Sequence, residues 1–99
     1  MADPRTLFDL TGRVACVTGA SSGLGRRAAV ALAAAGAQVI GVARRAAALD
    51  GLCAELGGNA ASVAADIADR SKTKDVARAI AAPFGAPDIV IHAAGLNTR

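Results

Sequence analysis

The sequence contains no tryptophan and no tyrosine, and Phe8 and Phe84 are its only aromatic side chains apart from one histidine. Aromatic rings interleaved with cations are what stack nucleobases, and here the basic residues also form no long run. Nucleic acid is therefore not an expected partner, despite a formal net charge of +3. Cysteine is nearly as scarce. Cys16 and Cys53 have neither metal-ligand nor redox spacing. Each sits in an apolar pattern, Cys16 strand-like and Cys53 helical, which reads as a small core residue; no metal site is expected. Long apolar runs are missing too. The longest, Ala28 to Ala37, falls far short of the ~18 residues a membrane span needs. Met1 to Gly12 carries Asp3, Pro4, Arg5 and Asp9 without an apolar h-region. Neither a signal peptide nor a membrane is expected, and a cytoplasmic location follows by default.

What is present has a globular balance. The chain is 54% hydrophobic and 19% charged, which excludes a disordered polypeptide. Its 99 residues make one small domain at most, or part of a larger one. Much of the apolar fraction is alanine, which buries little area. At about 25 cal/mol per Å², the hydrophobic stabilisation per residue is modest.

Strand and helix patterns alternate along the chain. Val14–Thr18 is a continuous apolar run, as expected of a strand buried on both faces. Leu24, Ala28, Ala31, Leu32 and Ala35 recur at helical spacing, and Gly36 is placed to end that helix. Val39–Val42 reads as a second strand. Leu49, Leu52, Cys53 and Leu56 mark the inner face of a second helix ended by Gly57-Gly58. Ser62–Ala65 is a third strand running to Asp66. Ser71 is a candidate cap for a third helix with Val76, Ala79 and Ile80 inward, although Lys74 denies it a capping box, and Asp69 is a better candidate than Asp66 for helix-terminal duty. Pro83, Gly85 and Pro87 break that helix, and Ile89-Val90-Ile91 is the fourth strand. The order β-α-β-α-β-α-β implies an α/β fold, a parallel sheet with right-handed crossovers and helices on both faces.

The most informative stretch is Thr18-Gly19-Ala20-Ser21-Ser22-Gly23-Leu24-Gly25, between the first strand and the first helix. A tight glycine turn opening onto a helix N-terminus offers backbone N–H groups and about half a positive charge to a phosphate. Glycine lets the backbone approach a pyrophosphate that a Cβ would hold away. The bland alternative is a tight turn without a ligand; the strand–turn–helix context favours the cradle. About twenty residues on, such folds usually place an acid against the ribose 2′-OH of NAD. Here that place reads Ala43-Arg44-Arg45. The acid is gone, and arginine pairs with a 2′-phosphate, so NADP is the preferred cofactor and NAD the other. Alternatively the two arginines are a solvated helix start. Arg26 and Arg27 add positive charge close to the proposed phosphate site. Asp66, at the carboxyl edge of the third strand, is placed to accept from an adenine amino group or is merely a polar strand end. His92 reads as a hydrogen-bonded structural residue and is assigned no chemistry.

These motifs resemble the classical short-chain dehydrogenases/reductases. The resemblance rests on Phe8-Asp9-Leu10-Thr11-Gly12-Arg13-Val14, the Thr18–Gly25 stretch, Asp66-Ile67 and His92-Ala93-Ala94-Gly95, in the family's order and across nearly the whole chain. It implies a Rossmann-type sheet of strand order 3-2-1-4-5-6-7. Residues 1–99 would be the N-terminal part of a single NAD(P)-binding domain, incomplete with four strands and three helices. It further implies that Gly19, Ser21, Ser22, Gly23, Leu24 and Gly25 surround the cofactor phosphates. Arg44 and Arg45 would lie at the adenosine ribose, Asp66 and Ile67 at adenine, and Ala93, Ala94 and Gly95 along the nicotinamide half. Two departures stand out: the family usually has asparagine at His92, and many NADP-dependent members have a basic residue where this chain has Ser22.

The family moves a hydride between nicotinamide and a carbonyl or alcohol carbon, with a tyrosine as acid/base, a lysine beside it and a serine on the substrate oxygen. A tyrosine count of zero means that these groups would lie beyond Arg99. No catalytic residue is therefore assigned, and the isolated chain is expected to be inactive, since such catalysis contributes typically 10²–10⁴-fold. The expected ligand is a small-molecule dinucleotide. Complete family members are commonly homo-oligomers, an assembly not expected to survive in this portion. The leading expectation is the cofactor-binding half of an oxidoreductase; the alternatives are a non-catalytic nucleotide-binding or interaction module on the same half-fold, and a half completed by another chain.

Overall fold

A computed structural model describes residues 9–20, 23–45, 47–66 and 68–93. Four strands, β1 (Val14–Thr18), β2 (Gln38–Ala43), β3 (Ala60–Ala64) and β4 (Ile89–His92), form one parallel sheet of order β3-β2-β1-β4. β1 lies inside, with Cys16 opposite Ile40 on one side and Val90 on the other. Every residue of β1 is buried, which is why its apolar run shows no polar alternation. β2 is longer than its apolar run at both ends. β3 begins two residues before Ser62 and stops at Ala64, because its backbone pairs with β2 from Val39–Ala60 to Ala43–Ala64. Ladder bonds require amides rather than large side chains, so Ala60 and Ala61 join the strand without announcing it.

Three helices connect the strands: α1 (Gly23–Ala34), α2 (Ala47–Leu56) and α3 (Thr73–Ala81). Alternate residues of each strand face opposite sides. Ala15, Val17, Val39 and Ala43 form one core cluster with Ala29 of α1 and Leu49 and Leu52 of α2. Val14, Cys16, Ile40, Val42 and Val63 form the other, against which Ile80 of α3 and Phe84 pack. Two helices thus cover one face and one helix the other.

The inner face of α1 differs from the expected stripe. Leu24 is 51% exposed and Ala31 is exposed, whereas Gly25 and Ala29 are buried. The cause is proximity at two positions: Gly25 has no room for a Cβ and Ala29 is fully buried, while the larger Val30 and Leu32 pack against the core from the side. Ala28, Leu32 and Ala35 are half-buried at its flank. Gly36 ends the region as expected, at φ +106°. Its N–H bonds the Ala33 carbonyl at 3.0 Å, and the Ala37 N–H bonds that of Leu32 at 3.1 Å, a Schellman closure. Leu49 and Leu52 of α2 are buried and Cys53 and Leu56 half-buried, and Gly57 follows at φ +76°.

Ser71 does not cap α3. A short 3-10 turn, Arg70–Lys72, precedes the helix, and Asp69 accepts the Ser71 N–H at 3.0 Å and its hydroxyl at 2.6 Å. The carboxylate takes two donors at once, so the serine hydroxyl is spent on it. Lys72 then stands before Thr73 without a side-chain cap. Val76 and Ile80 are half-buried as expected, but Ala79 is exposed. Among the described residues no helix is long and apolar enough to cross a membrane.

Candidate functional site

The site is built at the carboxyl ends of the strands. β1 runs into Gly19 at φ +71°, a left-handed conformation that glycine adopts without penalty. The N–H groups of Gly19 and Ala20 both donate to the Val42 carbonyl of β2, at 2.8 and 3.1 Å. The turn is thereby tied to the neighbouring strand. At Gly25 an added Cβ would lie 2.1 Å from the Gly19 carbonyl oxygen and 3.0 Å from the Ala93 Cβ. At Gly23 it would meet nothing within 4 Å among the described residues. The three glycines therefore have three duties: a dihedral angle, a close approach, and open space beside the helix start. Leu24 flanks that space, and Ala93 is buried beneath the turn. Ser21, Ser22, Ile67, Ala94 and Gly95 lie outside the described residues.

The four arginines expected near this turn have different surroundings. Arg26 pairs with Glu55 of α2 at 2.6 Å, both side chains about half exposed. Its charge is directed across the surface of the two helices, in a pair worth at most about 1 kcal/mol. Arg27 is exposed on α1. Arg44 and Arg45 are exposed where β2 ends. Arg44 borders a cavity of about 400 Å³ between β3 and α3, shared with Asp66 and walled by Val63, Ala65 and Val76. Arg45 is not among its lining residues. Asp66 is exposed and accepts the Ala68 N–H at 3.0 Å. Asp69, Lys72 and Asp75 border the same cavity. Sequence reasoning singled out neither Lys72 nor Asp75; the spacing of Lys72, Asp75, Val76 and Ala79, which puts them on one side of a helix, was the available signal.

His92 joins β4 to β1, with Nδ1 3.2 Å from the Thr18 hydroxyl, which in turn donates to the Ile91 carbonyl at 3.4 Å. Thr18 is the buried polar residue of this region. Burial pushes the Cys16 thiol up, so it stays protonated and serves packing rather than nucleophilic chemistry. Among the described residues no group of three His, Cys, Asp or Glu could hold a metal ion.

The sequence family described as short chain dehydrogenase matches residues 13–99. The chain belongs to that family. The D-threitol dehydrogenase of Mycolicibacterium smegmatis is 41% identical over 92 residues, a match covering 90% of this chain and 35% of that protein. The 3-oxoacyl-acyl-carrier-protein reductase FabG of Escherichia coli is 39% identical over 90 residues, covering 91% and 37%. Among solved structures, a short-chain type dehydrogenase/reductase from Mycobacterium marinum matches with a TM-score of 0.81 at 34% identity, over 90% of this chain and 37% of that one. A 3-ketoacyl-(acyl-carrier-protein) reductase from Brucella melitensis, complexed with NADH, matches with a TM-score of 0.77 at 38% identity, over 83% and 34%. This short-chain dehydrogenase chain thus spans about a third of the length of the curated relatives it matches, as an N-terminal portion of the fold does. It has the parallel sheet and the carboxyl-end crevice, and no tyrosine.

Proposed function

We propose that the chain is the cofactor-binding N-terminal part, residues 1–99, of a single-domain oxidoreductase that transfers a hydride between a nicotinamide dinucleotide and a carbonyl or alcohol substrate. One observation carries the reading: the Cβ position of Gly25 is filled by the Gly19 carbonyl, while that of Gly23, at the start of α1, is open among the described residues. A helix start that faces free space, with its backbone locked from behind, fits a pyrophosphate. The second fit is the 400 Å³ cavity, whose apolar walls and Asp66 carboxylate suit an adenine and its amino group.

In this reading Gly19, Ser21, Ser22, Gly23, Leu24 and Gly25 surround the phosphates. Arg44 and Arg45 sit at the adenosine ribose, Asp66 and Ile67 at adenine, and Ala93, Ala94 and Gly95 along the nicotinamide half. The nicotinamide, when bound, supplies the hydride acceptor or donor. The residues of this chain bind and orient it; the proton-transferring groups come from sequence outside these 99 residues. Because Ala43 removes the acid and Arg44 faces the cavity, NADP is favoured over NAD.

The test is equilibrium binding of NADPH and NADH to the full gene product, followed by nicotinamide fluorescence. Wild type is expected to bind NADPH more tightly, and Arg44→Ala to narrow the gap by roughly ten- to a hundredfold, the worth of one hydrogen bond to a charged group. Equal affinities before mutation refute the NADP reading.

A further inference from the structure

Arg44 is not the sole cation on the cavity between β3 and α3. It enters from the end of β2, and Lys72 enters from the 3-10 turn before α3. Three carboxylates share the lining, Asp66, Asp69 and Asp75, yet among the described residues neither cation is within ion-pair distance of any of them. Two of the acids are hydrogen-bonded locally instead, and among the described residues Asp75 is not. Asp66 accepts the Ala68 N–H, and Asp69 accepts both donors of Ser71. Lys72 reaches Asp69 only through its field, which adds to the Ser71 bonds in holding that carboxyl below its usual range. Two uncommitted cations thus border one cavity from two elements, with the apolar side chains of Val63 and Val76 between their strand and helix.

We propose that Lys72 is a second specificity-determining residue, its ammonium and the Arg44 guanidinium together holding the 2′-phosphate of the adenosine ribose. The inference rests on the NADP reading above and extends it to a residue on a different element. A phosphate monoester carries nearly two negative charges and three acceptor oxygens, more than one guanidinium fork can satisfy. A lysine supplies the second charge well, because its four-carbon stem lets a compact ammonium reach a site its backbone only borders. Asp75, one helical turn on, opposes the phosphate and sets the scale of the preference.

The experiment measures dissociation constants of NADPH and NADH for the full gene product carrying Lys72→Ala, Lys72→Arg or Arg44→Ala, with 2′-AMP and 5′-AMP as competing probes. Lys72→Ala is expected to weaken NADPH and 2′-AMP roughly tenfold, the scale of one charge-assisted contact, and to leave NADH and 5′-AMP unchanged. Lys72→Arg is expected to retain most of the preference. NADH affinity serves as the check on folding in every variant. If wild type prefers NADPH and Arg44→Ala removes the preference while Lys72→Ala does not, Lys72 is overturned and the NADP reading stands. Loss of NADH and NADPH in equal measure on Lys72→Ala also overturns it. No preference in wild type overturns both.

Discussion

Gly19, Gly23 and Gly25 look interchangeable as letters, and their surroundings separate them. Gly25 has no room for a methyl group, because the Gly19 carbonyl oxygen already occupies its Cβ position at 2.1 Å. Gly25→Ala is expected to push α1 off the sheet, at a cost of 1–3 kcal/mol or more on the scale typical of overpacking, read as a fall in Tm. A Cβ at Gly23 would meet nothing within 4 Å among the described residues. Gly23→Ala is expected to leave Tm unchanged or slightly raised, as alanine favours a helix, and to weaken dinucleotide binding by an order of magnitude or so. A matched loss of stability in the two variants would refute the separate duties assigned to them. That Arg26 faces Glu55 rather than the turn is not legible in the letters, because that pair joins residues on two different helices.

At the scale of elements, β1 was legible in full from its continuous apolar run, and the inner face of α2 largely so from an apolar pattern of period 3.6. α1 was legible as a helix and partly as to face: Ala28 and Leu32 pack against the core as expected, and Leu24 and Ala31 do not. Its buried positions are glycine and alanine, which carry almost no hydrophobic signal, while Leu24 is exposed. The start of α3 turned on a contest between two capping side chains, Asp69 and Ser71, that the letters alone leave undecided. Its geometry has a pH signature. The Ser71 hydroxyl and amide, with the Lys72 charge, hold the Asp69 carboxyl below its ordinary range. A depressed folded-state pKa stabilises at pH above the unfolded carboxylate value, about 3.9, and that stabilisation disappears as pH falls through the lowered value. The Ser71 amide is expected to lose hydrogen-exchange protection in that acid window, and Asp69→Asn to flatten the dependence. Unchanged acid sensitivity in Asp69→Asn would show that the loss comes from elsewhere.

For the whole molecule, the strand order β3-β2-β1-β4 leaves β4 on one edge of the described sheet, with Val90 52% exposed. A strand with apolar residues and unpaired backbone groups is a template for another chain. The 99-residue polypeptide is expected to self-associate in sedimentation measurements, with Val90→Lys reducing association. A monomer at high concentration would refute this account of the edge. The same polypeptide is expected to show no alcohol or carbonyl turnover with either nicotinamide cofactor, since no tyrosine is present to move the proton.

The sequence by itself determined the alternation of strands and helices, the position of the glycine turn and the absence of a phenol, all of which are local properties of neighbouring residues. It also fixed membership of the short-chain dehydrogenase family, through motifs of defined spacing over residues 13–99. Tertiary structure alone decided what each residue meets across the chain. It set Gly25 against the Gly19 carbonyl, turned Arg26 toward Glu55, and brought Arg44 and Lys72, 28 positions apart in sequence, to one cavity. The physical reason is that periodicity reports which side of an element is apolar. The distance between two elements, and the charges that converge in the space between them, follow only from how their side chains pack.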